Sequence, residues 1–171
     1  TAMTLTAAGG PVTIRVPSDQ EAAVQVASGV TGAVFDGIKF ELPSANDSGM
    51  QAVQLLRAAS AAFTNCTFTG PGNGFGAKLI SGADATFDNC VFSNFNAAAS
   101  GAAAIFLEGH DTGSPYSDLT VRNCVFDTGC NGWIRTIETA NWARIGQVTV
   151  TNCLFKAART AQALKFRDGG G

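Results

Sequence analysis

Apolar and polar residues alternate along this chain in short runs, and the runs return at a regular interval. Phe63-Thr64-Asn65-Cys66-Thr67-Phe68 is matched by Phe87-Asp88-Asn89-Cys90-Val91-Phe92, by Val121-Arg122-Asn123-Cys124-Val125-Phe126 and by Val150-Thr151-Asn152-Cys153-Leu154-Phe155. A degenerate copy, Phe35-Asp36-Gly37-Ile38-Lys39-Phe40, precedes them. Counted from Gly37, the centre of the motif recurs 28, 24, 34 and 29 residues later. Period-2 alternation predicts a half-buried strand, with Ala61 and Phe63 facing one side and Ala62 and Thr64 the other. Asn65 interrupts it, because Asn tolerates the left-handed backbone and its amide bonds to nearby main chain. Gly37, freer still at positive φ, takes that place in the first copy. Alternation then restarts with Cys66 and Phe68 inward and Thr67 outward. Each unit is a strand, a one-residue corner and a second strand.

One such unit offers too few inward residues to bury its own apolar face. Repeats of about 20 to 50 residues meet this by stacking, each coil about 4.8 Å from the next. Stacking predicts an inner column of Ile38, Cys66, Cys90, Cys124 and Cys153, and a second of Phe40, Phe68, Phe92, Phe126 and Phe155. It also predicts a corner ladder of amides from Asn65, Asn89, Asn123 and Asn152. In its coil spacing, Asn corners and aromatic columns the chain resembles the right-handed parallel β-helix proteins of the pectate-lyase-like superfamily, over residues 24–167. The resemblance implies an all-β fold, a single-stranded right-handed parallel β-helix of about six coils. It implies no single activity, since that fold carries lyases, hydrolases, epimerases, phage spikes and adhesins alike. A β-sandwich with coincidental Asn-Cys strings is the competing architecture, and four strings at coil spacing speak against it. A left-handed hexapeptide helix needs a six-residue period, which is absent.

Along the chain, residues 1–23 read as an N-terminal capping segment, 24–168 as the solenoid and 169–171 as a Gly tail. Val12–Val16 alternates like a strand and stops at Pro17. Ser18-Asp19-Gln20-Glu21 has capping-box spacing, so a helical turn over 19–23 competes with a strand from 24; the match of Val24-Gln25-Val26 to Val53-Gln54-Leu55 favours the strand. A further strand is expected before each corner motif, at 24–26, 53–55, 77–79, 104–106, 134–136 and 164–166. Taking the middle residue as outward predicts a surface file of Gln25, Gln54, Lys78, Ile105, Arg135 and Lys165. Three residues on lies a second file of Arg57, Ser81, Glu108, Glu138 and Asp168.

Composition narrows the function classes. With 171 residues, 46% hydrophobic and 14% charged, and 20 Gly and 12 Phe, the chain is one β-rich, turn-rich domain able to bury a core. A net charge of −2 and a pI near 5.2 give no basic face for nucleic acid. No apolar run reaches 18 residues, so membrane insertion is not expected. The first residues show no signal peptide, which leaves the compartment open. Five cysteines are an odd number, and four fall in the inner column, so reduced structural thiols are expected, with Cys130 left over. Four thiols on one inner face cannot form a tetrahedron, so a metal site is not expected; no motif calls for a cofactor, and none is expected.

Two constellations carry candidate chemistry. Glu108 and Glu138, placed on neighbouring coils about 5 Å apart, approach the carboxyl spacing of a glycosidase. Asp111 and the sole histidine, His110, can join them from the long 109–118 loop. Arg135 can neutralise a uronate carboxylate in lyase-type chemistry, with Lys78 or Lys165 as base. The competing reading is a solvated ladder of surface charges, and no catalytic signature is matched. Trp142, Tyr116 and Trp133 lie toward the same flank, where aromatic faces stack on sugar rings; with His110, Lys78 and Lys165 they are the candidate carbohydrate-binding residues. The competing reading of Trp133, at a strand start, is that it is partly core, and a lone His110 is more often a loop hydrogen-bonder than a catalyst. Asp47 and Asp84 look scattered and give no support to calcium.

These features favour a non-catalytic structural or glycan-binding module of a larger assembly, of the virion spike, decoration or surface adhesin type. Its partners would be a polysaccharide and further copies or subunits; no amphipathic capping helix follows the last coil, and another subunit is expected to cover it. The alternative is a small polysaccharide lyase or glycoside hydrolase acting in a groove beside the 109–118 and 139–147 loops.

Overall fold

The computed structural model describes residues 3–17, 20–43, 50–70, 74–95, 102–109, 115–127, 135–139, 144–156 and 162–165, with 102, 135–139, 162 and 165 in backbone alone. The first coil comprises β1 (Thr4–Thr6), β2 (Val12–Arg15) and β3 (Ala22–Val26). The second comprises β4 (Ala33–Asp36), β5 (Ile38–Glu41) and β6 (Gln51–Leu55), and the third β7 (Ser60–Thr64), β8 (Thr67–Thr69) and β9 (Gly74–Ile80). The fourth comprises β10 (Asp84–Asp88), β11 (Val91–Ser93) and β12 (Ala102–Glu108). The fifth has β13 (Ser117–Arg122), β14 (Val125–Phe126) and β15 (Arg135–Thr139), and the sixth β16 (Ile145–Thr151), β17 (Leu154–Phe155) and β18 (Gln162–Lys165). Equivalent strands stack into three six-stranded sheets: sheet A (β1-β4-β7-β10-β13-β16), sheet B (β2-β5-β8-β11-β14-β17) and sheet C (β3-β6-β9-β12-β15-β18). The pairings are parallel, as in Phe63↔Phe87, Phe68↔Phe92 and Leu55↔Leu79. The stack starts before residue 24, because β1 and β2 already pair with β4 and β5. β3 begins at Ala22, so residues 22–23 are strand where a helical turn competed.

The corner between sheets A and B is the repeated device. Asn65, Asn89, Asn123 and Asn152 have φ of 55°, 53°, 56° and 50°, and Gly37 has 70°. That twist turns the chain from one sheet into the next within a single residue. The corner N–H groups of Gly37, Asn65, Asn89 and Asn123 are each kept in register by a carbonyl of the following coil, as in Asn65 N to Asp88 O at 3.0 Å and Asn89 N to Arg122 O at 3.1 Å. The side-chain amides run up the outside. Asn89 Nδ2 donates to Asn65 Oδ1 at 2.7 Å, and Asn152 Nδ2 to Asn123 Oδ1 at 2.8 Å. The ladder is interrupted twice by aspartates: Asn65 Nδ2 donates to Asp36 and Asn123 Nδ2 to Asp88.

Inside the corner lies the thiol column. Cys66, Cys90 and Cys124 are buried and Cys153 is half-buried, all four as free thiols. Each S–H lies between two carbonyls, one of its own coil and one of the preceding coil; for Cys90 these are Asp88 O and Phe63 O, both at 3.4 Å. Cysteine suits the place because it is a small hydrophobe that still donates weakly to carbonyls at the bend. The neighbouring Cys124 and Cys66 thiols, together with burial, push the Cys90 thiol up from its ordinary value. Burial chiefly does the same to Cys153.

Two aromatic files fill the core. Phe40, Phe68, Phe92, Phe126 and Phe155 stack with ring centres 4.7–5.0 Å apart. Phe35, Phe63 and Phe87 stack at 4.9–5.0 Å. The files meet edge to face, as for Phe63 and Phe68 at 5.7 Å. The stacking distance follows the coil step, so an aromatic ring in one coil selects one in the next.

Sheet C departs from the register expected from sequence. Lys78 pairs with Phe106, Phe106 with Glu138 and Glu138 with Lys165. The register file is therefore Gln25, Gln54, Lys78, Phe106, Glu138 and Lys165, with Phe106 in place of Ile105 and Glu138 in place of Arg135. Ile105 is fully buried opposite Ala77 and Ile137. In the fifth coil the place in register with Ile105 is Ile137, two residues beyond Arg135.

Two substitutions test this account in urea unfolding. Phe87→Ala should cost about 3–5 kcal/mol, the usual penalty for emptying a buried aromatic site. Asn89→Ala should cost about 1–2 kcal/mol through the left-handed corner, and Asn89→Gly distinctly less. Equal losses for the two Asn89 variants would show that the corner conformation is not what the residue supplies.

Candidate functional site

The outer face of sheet A forms a trough. Alternation buries Ala33, Ala61 and Ala85 and turns Val34, Ala62 and Thr86 outward in one register file, continued by Thr120 and Thr149. These short side chains make a low floor parallel to the stacking axis. On one side stands the file Asp36, Thr64, Asp88 and Arg122, next to the Asn ladder. On the other stand Ser60, Asp84 and Asp118. An open depression of about 240 Å³ lies over the floor beside this second wall, lined by Val34, Ala62, Thr86, Ser60, Asp84 and Asp118 among others.

The second wall is built by side-chain oxygens that satisfy strand ends. Ser60 Oγ accepts from Gly32 N at 2.9 Å, Asp84 Oδ1 from Asp118 N at 2.7 Å and Asp118 Oδ1 from Gln147 N at 2.7 Å. These bonds tie each coil to its neighbour and fix the carboxylates on the rim of the trough. In the sixth coil the chain bulges, with Ser117 paired to Ile145 but Leu119 to Val148. Gly146 occupies the bulge because a Cβ there would collide with the Asp118 carboxylate.

Electrostatics distinguish the two walls. The Asn123 amide, and after it the Arg122 guanidinium at 2.9 Å, hold the Asp88 carboxyl below the usual aspartate range. Asp84 and Asp118 have backbone N–H donors in place of a cation.

Of the candidates named from sequence, Lys78, Glu108 and Tyr116 are described with their side chains. Glu108 is in close ion contact with Lys78 at 2.7 Å, both side chains being more than four-fifths buried. This pair adjoins the stacked Phe75 and Phe106 rings, 4.6 Å apart, with Lys78 Nζ 5.9 Å from the Phe75 ring centre. Glu108 is in register with Ile80 and Glu138 with Phe106, so the two glutamates stand in different files. Arg135, Glu138 and Lys165 are placed by backbone only, and His110, Asp111, Cys130, Trp133 and Trp142 lie outside the described residues. Tyr116 stands two residues before Asp118 and is 58% exposed. The Arg144 guanidinium lies 4.5 Å from its ring centre and donates from Nη2 to Tyr116 Oη at 3.1 Å.

Asp118 and Asp84 were not singled out together from sequence, yet a signal for them exists. Ser60, Asp84 and Asp118 each stand five residues before a corner Asn, as Gln147 does before Asn152. Numbering from the corner aligns them; numbering along the chain scatters them. Among the described residues, no three or more His, Cys, Asp or Glu are grouped to hold a metal ion, and no helix is long and apolar enough to cross a membrane.

The profile of the family described as "Right handed beta helix region" matches residues 18–169. The chain belongs to the right-handed β-helix family. No curated protein and no solved structure matches it.

Two measurements follow from this geometry. Peptide-resolved thiol labelling of the native protein should modify Cys153 well before Cys66, Cys90 and Cys124; rapid labelling of Cys90 would contradict the buried column. NMR titration should find Asp88 below an ordinary aspartate, with Asn123→Ala raising it. Because the folded value is the lower one, Asp88 favours the fold above the unfolded carboxyl value, and that contribution disappears as pH falls through the folded value.

Proposed function

We propose that this β-helix is a non-catalytic carbohydrate-binding and structural module of a larger assembly, of the virion spike or surface adhesin type, and that sheet A holds the glycan. The trough carries this reading: it is open and lined by hydroxyls, methyls and carboxylates. A glycan offers the matching chemistry, with hydroxyls along its edges and C–H groups on its ring faces. The coil step of about 4.8 Å is close to the length of one sugar ring, so a chain laid along the axis meets the same files at every coil. Carboxylate acceptors give short, charge-assisted hydrogen bonds to hydroxyls. Tyr116, held by Arg144, stands at the rim as an aromatic surface for a ring face.

The competing reading, hydrolysis or elimination, requires Glu108 or Glu138 to work as acid, base or nucleophile. Lys78 neutralises Glu108 at 2.7 Å, so that carboxylate is already held in an ion pair. A rigid binding face asks nothing of that pair.

Native electrophoresis through gels containing single polysaccharides, run beside a reducing-end and unsaturated-product assay, tests the proposal. At least one glycan should retard the protein without being cleaved. Tyr116→Ala should weaken retention about tenfold, the equivalent of about 1.4 kcal/mol, while Glu108→Gln should not change it. Chain cleavage that Glu108→Gln abolishes would overturn the proposal in favour of a hydrolase or lyase.

A further inference from the structure

We infer that the glycan received by the sheet A trough carries no anionic groups; this rests on the trough being the glycan site proposed above. Asp84 and Asp118 stand on one wall, and Asp36 and Asp88 on the other. Their backbone bonds use one oxygen each of Asp84 and Asp118, which leaves the other oxygen of each without a protein partner among the described residues. Two guanidiniums stand nearby, and both are engaged. Arg122 is bound to Asp88 at 2.9 Å, and Arg144 is packed on Tyr116 at 4.5 Å.

The consequence is a choice of ligand class. A neutral or amine-bearing sugar can donate hydroxyl or ammonium protons to the unoccupied carboxylate oxygens. A uronate or sulfate brought to the same place meets like charge at hydrogen-bonding distance, with no unengaged cation on the described walls to offset it. One apposed pair of this kind weakens binding by about tenfold, and less as salt screens it. Acidic glycans of the lyase-substrate type, which Arg135 and Lys78 suggested from sequence, are therefore disfavoured here.

The test compares the whole protein's affinity for soluble neutral glucans and mannans with that for polygalacturonate, at low salt and at 1 M NaCl. The same measurements are made on the double variant Asp84→Asn/Asp118→Asn. Asn Oδ1 can still accept the Asp118 and Gln147 N–H groups, so the coil contacts are kept, which a thermal melt verifies. The wild type should prefer a neutral glycan by at least tenfold at low salt, and the gap should narrow at 1 M. The double variant should gain about tenfold toward polygalacturonate. Equal or tighter binding of polygalacturonate by the wild type overturns the inference and leaves glycan binding standing. An unchanged preference in the double variant also overturns it, since the selectivity would then come from other groups. If no glycan of either class binds, the proposed function falls and this inference with it.

Discussion

Every other feature of this protein depends on a backbone conformation that most residues avoid. The left-handed corner at Gly37, Asn65, Asn89, Asn123 and Asn152 turns sheet A into sheet B in one step. Because the turn takes one residue, the strands on both sides keep their phase, and Phe63 and Phe68 both point inward. Once one coil has that shape, the next must copy it, since the corner N–H needs a carbonyl at the same height. Stacking energy from the Phe files then accrues coil by coil, while a coil alone would bury almost nothing. Stability of this kind is nearly a sum of nearest-neighbour terms.

The corner explains why half of the fold was legible in the sequence. Few residue types accept φ near 50° to 70°, and fewer still have a side chain that bonds to its copy in the next coil. Asn recurs for that reason, and the residues around it carry a clear period-2 phase. Sheet C has no such marker. β6 is buried along its whole length, and the Ala102–Ala104 run offers the same small side chain inward and outward. With no contrast between faces, alternation cannot set the register, and the surface file slipped by one residue at Phe106 and by three at Glu138. Glu108 and Glu138, placed in one file from sequence, stand two residues out of register for the same reason.

The trough was harder to see because its parts serve two purposes. Asp84 and Asp118 cap strand ends, an ordinary structural task that Ser60 performs equally well. Their charge is not needed for that task, and this surplus gives the wall its chemistry. The thiol column shows the opposite economy. Its sulfurs look reactive in a list of residues, yet bonds to carbonyls and burial leave three of the four out of reach of solvent.

The bond pattern at the rim also bears on how such a surface can change over generations. The backbone asks the residue five places before the corners at Asn65, Asn89 and Asn123 only for an oxygen within reach of one N–H. Ser, Asp or Asn can all supply it, and none of them touches the core, because strand parity keeps that position outside. A single exchange per coil can therefore rewrite the charge presented at that height while the stack beneath is inherited unchanged. The rim behaves as a row of separate letters on a fixed page, and a lineage of such proteins could move from one ligand to another without passing through an unfolded ancestor.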